Sequence, residues 1–101
     1  MKHALLTALT VASFALVMPA YAAGDAAAGK AKAGSCAMCH GPSGEGTQMG
    51  PKLAGEDAAK FTQAMNDYKS GKRDNAMMKS AVSQLSADDM ANLAAYYASI
   101  K

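Results

Sequence analysis

The chain has no tryptophan, two cysteines and two histidines in 101 residues. Past residue 22 it has only four β-branched side chains, Thr47, Thr62, Val82 and Ile100. Strands draw heavily on such residues, so a sheet-based fold is not expected. Alanine is abundant instead, and it is the best helix former; the expectation is all-α. Charge of one sign is also lacking. Past residue 22 there are nine basic and eight acidic side chains, a net of +1, which does not fit a nucleic-acid binder and reads as a mixed, solvated surface. There is no internal repeat and no low-complexity linker.

The single long apolar run, Leu5 to Met18, is too short for a comfortable transmembrane helix. It follows Lys2 and His3, is broken by Pro19, and is followed by Ala20-Tyr21-Ala22, the A-x-A pattern of a signal-peptide cleavage site. Residues 1–22 are therefore expected to be a cleaved secretory signal and 23–101 a single domain; an uncleaved anchor is the alternative. Cleavage would leave 79 residues, with His40 as the remaining histidine. So short a chain buries little surface and usually needs a staple. Its aromatic residues, Phe61, Tyr68, Tyr96 and Tyr97, are few for a core of its own.

Against this sparse background stands Cys36-Ala37-Met38-Cys39-His40. C-x-x-C-H is the attachment pattern for c-type haem. Two thiols at this spacing reach the two vinyl groups of one porphyrin, and the histidine directly after the second stands under the iron. Cys36 and Cys39 would then hold the macrocycle covalently, and His40 would be an axial ligand. A large flat apolar body bound in this way would be the missing staple. Other readings of the pattern remain. A redox dithiol wants a neighbouring βαβ unit. A structural zinc site wants four ligands, which this chain reaches only with a carboxylate or a second chain.

Three helices and a shorter one are legible. Asp25 is a good N-cap for a helix to about Ala33, with Gly34 loosening its end. A second runs from about Asp57 to Ser70. It carries Phe61, Ala64, Met65 and Tyr68 on one face, and Gly71 is its stop. A short helix is expected after Met78, to about Gln84. Ser86, with Asp89 three residues on, starts the last helix. Met90, Leu93, Ala94 and Tyr97 form its apolar stripe, widened by Tyr96 and Ile100. Between the first two helices, GPSGEGTQMGPKLAG (41–55) is too rich in glycine and proline for a helix. It lacks the Gly-Lys-Ser/Thr ending of a phosphate loop. A loop this long in a small domain usually wraps something, here the haem edge.

The export signal, the short first helix, the Cys36–His40 motif, Gly50-Pro51-Lys52-Leu53 and the closing Leu93-Ala94-Ala95-Tyr96-Tyr97 helix together resemble the small class I bacterial cytochromes c. The likeness is to short single-haem carriers and to the halves of di-haem cytochromes, and it spans nearly all of 23–101. The resemblance implies a class I fold around one covalent haem c, with His and Met as iron ligands. It also implies one-electron transfer in the periplasm rather than enzymatic catalysis. The expected partners are an electron donor and acceptor, membrane respiratory complexes or periplasmic oxidoreductases, met by a soluble monomer. In the family a similar Arg-x-x-x-Met-Met-x-x-Ala-Val stretch carries the distal ligand on its second methionine. Arg73 and Asn75 to Val82 match it with one residue of slack, which implies Met78, with Met77 the second choice. Met38 sits within the attachment motif, Met49 in the loop on the histidine side, and Met65 and Met90 on helical core stripes. By the same resemblance the Pro51 carbonyl accepts the Nδ1–H of His40. One departure stands out: the first helix lacks the aromatic residue many relatives place against the last helix. Gly29, Ala31 and Ala33 should instead let the two helices approach, with Tyr96 or Tyr97 filling the gap. Two other roles share these ligands: a haem subunit held by a periplasmic dehydrogenase, and a ligand-binding cytochrome with a labile distal methionine.

Overall fold

The computed structural model describes residues 24–101; the signal expected over 1–22 lies outside them. Five helices follow in order: α1 (Ala26–Lys32), α2 (Gly34–His40), α3 (Ala58–Ser70), α4 (Ala76–Ser83) and α5 (Ala87–Ser99). Among the described residues there is no strand, as the scarcity of β-branched side chains predicts.

The expectation of three helices and a short fourth needs two corrections. α1 ends just before Gly34, as expected, but a further helix follows directly. Ala33 closes α1 with a bond from its amide to Lys30 O, and its own carbonyl accepts from the amides of Cys36 and Ala37. The chain therefore bends and winds on, so the attachment motif is itself helical. The short helix also begins earlier than expected. The Asn75 side chain accepts from Met78 N at 3.0 Å and caps α4, so Met77 and Met78 lie in its first turn rather than ahead of it. Asparagine is among the preferred N-caps.

The other helix ends follow the sequence signals. Asp25 accepts from the amides of Ala27 and Ala28, and Asp57 accepts from that of Lys60. Ser86 and Asp89 complete a reciprocal capping box on α5, and Gly71 ends α3 in the left-handed conformation.

The core is the apolar stripe of α5 laid against α1 and α3. Met90, Leu93, Ala94 and Tyr97 are buried, with Phe61 and Met65 from α3, Val82 from α4, Leu53 from the loop and Ala33. The rings of Phe61 and Tyr97 lie 5.6 Å apart, and those of Tyr96 and Tyr97 5.0 Å apart, distances at which aromatic pairs attract beyond their burial. α1 and α5 cross in close contact. Gly29 and Ala33 serve that contact, whereas Ala31 faces solvent, against expectation. The amide of Asp25 donates to Asn92 Oδ1 at 2.8 Å, and Lys32 pairs with Asp89 at 3.6 Å, so polar groups frame the crossing.

Candidate haem site

The remaining face of α3 is not covered by α5. Ala64, Met65 and Tyr68 form one wall of an open cleft of about 600 Å³. α2 brings Cys36, Met38, Cys39 and His40 to it, and the loop brings Met49 to Leu53. α4 brings Met77, Met78, Ser80 and Ala81, and the turn before it brings Arg73 and Asn75. The cleft thus gathers every site residue expected from the sequence.

His40 is buried, and its Nδ1 lies 2.7 Å from the carbonyl oxygen of Pro51. A carbonyl only accepts, so Nδ1 carries a proton, and in the neutral ring this leaves Nε2 with its lone pair. The imidazole is held in the tautomer that a metal ligand requires. Gly50 makes this approach possible: a Cβ there would stand 2.8 Å from Nδ1 and 3.0 Å from Cys39 O, so any other residue would push the ring or the loop away.

The loop itself is anchored by backbone bonds. Gly46 N donates to His40 O at 2.7 Å, Leu53 N and Ala54 N donate to Gly44 O at 2.8 and 2.9 Å, and Gly55 N donates to Tyr97 O at 2.8 Å. It runs from the end of α2 to the side of α5 and presents Pro51 on the way.

Cys36 and Cys39 are both unpaired thiols, half-buried at the cleft. Burial pushes the Cys36 thiol above its ordinary pKa, against the opposing pull of hydrogen bonding to Tyr97 and Ser35. Burial, and then the neighbouring Cys36, likewise push the Tyr97 phenol well up. A dithiol oxidoreductase works through a thiolate with a lowered pKa, so the shift at Cys36 runs the wrong way for that reading. The zinc reading fares no better: among the described residues no three His, Cys, Asp or Glu side chains are grouped to hold a metal.

Met78 is half-buried and packed on the core, whereas Met77 is 68 % exposed. Met65 and Met90 are core residues, as their stripes imply, and Met38 and Met49 are exposed. Arg73 lies over the Tyr68 ring at 4.9 Å, an attractive cation–π arrangement that holds a cation at the cleft. Sequence reasoning gave no role to Asn75, Gly50 or Thr47. Asn75 could have been found as a cap before an apolar run, but no local signal marks the other two.

These residues suit a flat, largely apolar macrocycle with an iron centre: two free thiols, an imidazole with one free nitrogen and a thioether, set among apolar walls. The family comparison agrees. The cytochrome c family model matches residues 26–101. The chain belongs to the cytochrome c family. It is similar to cytochrome c4 of Pseudomonas aeruginosa, 47% identical over 83 residues that make up 81% of this chain and 41% of that protein. It is also similar to cytochrome c-554(548) of Halomonas halodenitrificans, 42% identical over 81 residues, 76% of this chain and 98% of that one. The chain thus spans under half of the first relative and nearly all of the second. Among solved structures, cytochrome c4 of Acidithiobacillus ferrooxidans superposes with a TM-score of 0.71 at 27% identity, over 81% of this chain and 56% of that one. The fold is the class I cytochrome c fold, and the cofactor is covalent haem c with its iron.

Proposed function

We propose that this cytochrome c is a periplasmic one-electron carrier whose haem is joined through Cys36 and Cys39 and ligated by His40 and Met78. Residues 1–22 direct export and 23–101 form the working domain. The observation that carries the reading is the bond of His40 Nδ1 to Pro51 O at 2.7 Å. It leaves Nε2 as the free donor atom of a buried imidazole that lines the same cleft as two free thiols and a thioether.

When bound, the haem supplies a ferric/ferrous couple. Everything else falls to the chain. His40, oriented by Pro51, and Met78, carried on the capped first turn of α4, would be the protein's two ligands to the iron and would leave no open place for a substrate. The thioether raises the reduction potential relative to harder ligands. The walls from α3 and Leu53 keep water from the macrocycle, and the helical attachment motif holds both thiols on one side of the cleft. With both iron ligands supplied by the chain, it is read as a carrier and not an enzyme.

Redox proteins of the periplasm or respiratory membrane are the partners, met by a monomer. Among the described residues no helix is long and apolar enough to cross a membrane. A second reading is a haem subunit retained by a periplasmic dehydrogenase, with Met38, Met49 and Met77 at the cleft where such a partner would meet the haem. Size exclusion of the native protein separates the two.

The decisive experiment is a pyridine haemochrome assay on periplasmic protein together with haem staining after denaturing electrophoresis. Covalent haem should appear in the wild type, fall to at most one thioether when either cysteine becomes alanine, and vanish in the double variant. Haem retained covalently without both cysteines would overturn the assignment.

A further inference from the structure

The last carbonyls of a helix have no partner within it, and at the end of α2 the loop provides them. Gly41 N donates to Ala37 O at 3.1 Å and Gly46 N donates to His40 O at 2.7 Å. Between these two, the Cys39 carbonyl is taken by a side chain, the hydroxyl of Thr47. That same oxygen accepts from Met49 N at 3.0 Å, and Thr47 N donates to Gly50 O at 2.8 Å. A hydroxyl has one proton to give and two lone pairs, and Thr47 uses it in both senses. The turn closed in this way ends at Gly50, whose bare Cα faces the His40 ring, and the next residue is Pro51. Among the described residues, the bonds His40–Pro51 and Thr47–Cys39 are the two side-chain hydrogen bonds that join this loop to α2.

We propose that Thr47 is a positioning residue for the axial histidine: its hydroxyl hooks residues 47–51 to the last turn of α2 and so holds the Pro51 carbonyl on His40 Nδ1. The inference rests on the reading of His40 as an iron ligand. It adds that the strength of the Nδ1–H···O bond, and with it the potential, is set from a side chain that is not among those lining the cleft and bonds to Cys39 rather than to the histidine ring. A firm bond at Nδ1 makes Nε2 a stronger donor, which favours the ferric state. Slackening the hook therefore raises the potential.

The test compares holoprotein carrying Thr47→Val, which keeps the β-branched shape without donor or acceptor, with Thr47→Ser, which keeps the hydroxyl. Covalent haem is measured first by pyridine haemochrome. The midpoint potential and the solvent exchange of the His40 Nδ1 proton, read by NMR on the reduced protein, follow. T47V should retain covalent haem, show a higher potential and exchange the Nδ1 proton several-fold faster, while T47S should match the wild type in both. Thr47→Ala replaces T47V if the latter does not accumulate, with the same two readouts. Unchanged potential and exchange in the hydroxyl-free variant, or a serine variant as disturbed as it, would overturn the proposal. Absence of covalent haem from the wild type would instead overturn the functional reading on which it rests.

Discussion

Gly29 of α1 lies so close to α5 that a Cβ placed on it would stand 2.0 Å from the carbonyl oxygen of Asn92 and 2.8 Å from Cβ of Tyr96. The first helix has no aromatic residue to offer the last. It compensates by having almost nothing at the crossing, and the stem of Tyr96 occupies the space. Gly29→Ala should therefore force the helices apart, since the obstacle is backbone and cannot rotate away. Overpacking of this kind costs about 1–3 kcal/mol, and thermal unfolding of the holoprotein should show it as a lower midpoint. Ala31→Ser, on the exposed side of the same helix, should leave the midpoint unchanged.

The two adjacent methionines should behave differently. Met78 packs on the core and Met77 is 68 % exposed, and neighbours on a helix do not share a direction. Met78→Ala should open the sixth coordination position, lower the potential and admit carbon monoxide or imidazole. Met77→Ala should keep the weak far-red methionine–iron band of the ferric protein. Exchange of the two phenotypes in the absorption spectra would assign the ligand to Met77.

Acid should act on the start of α5. The Asp89 carboxyl is held below its ordinary pKa chiefly by accepting from the Ser86 amide, with further help from Ser86 Oγ and Lys32. The folded value lies below the unfolded one, so this contribution is complete above about pH 4 and is lost as pH falls through the folded value. Asp89→Asn removes the charge at all pH values. Its stability should therefore fall less steeply than that of the wild type as pH drops below about 4, as followed by circular dichroism. Equal slopes would mean that Asp89 has no part in the acid transition.

Four cations, Lys69, Lys72, Arg73 and Lys79, and two acids, Asp67 and Asp74, lie close to Met78 in sequence. The structure divides them. Lys69 donates to Leu85 O at 3.0 Å and Arg73 lies on the Tyr68 ring, while Lys72 and Lys79 are exposed. Charge reversal at Lys72 and Lys79 tests docking of an acidic partner without breaking a bond of the fold. Electron transfer to the natural partner should slow at low salt and recover its wild-type rate at high salt, because screening acts over about 10 Å at 0.1 M. A rate indifferent to salt and to reversal would place docking on the apolar rim of Met38, Met49 and Met77.

By itself the sequence determined what is local. The all-α class follows from alanine and the lack of β-branched residues, and the ends of α1, α3 and α5 follow from Asp25, Asp57, Gly71 and Ser86, because a cap is settled within one turn of chain. The attachment chemistry follows from five consecutive residues. The roles proposed for Pro51 and Met78 come only from likeness to a family, since nothing near them in sequence says what they face. Only the tertiary structure decided that Ala33 bends the chain into a further helix and that Asn75 draws both methionines into α4. It alone brought Gly29 against Asn92 and hung the loop from Cys39 by the hydroxyl of Thr47. These relationships depend on where two distant stretches of backbone come to rest, and that position is set by packing on the α5 stripe, which no short window of residues contains.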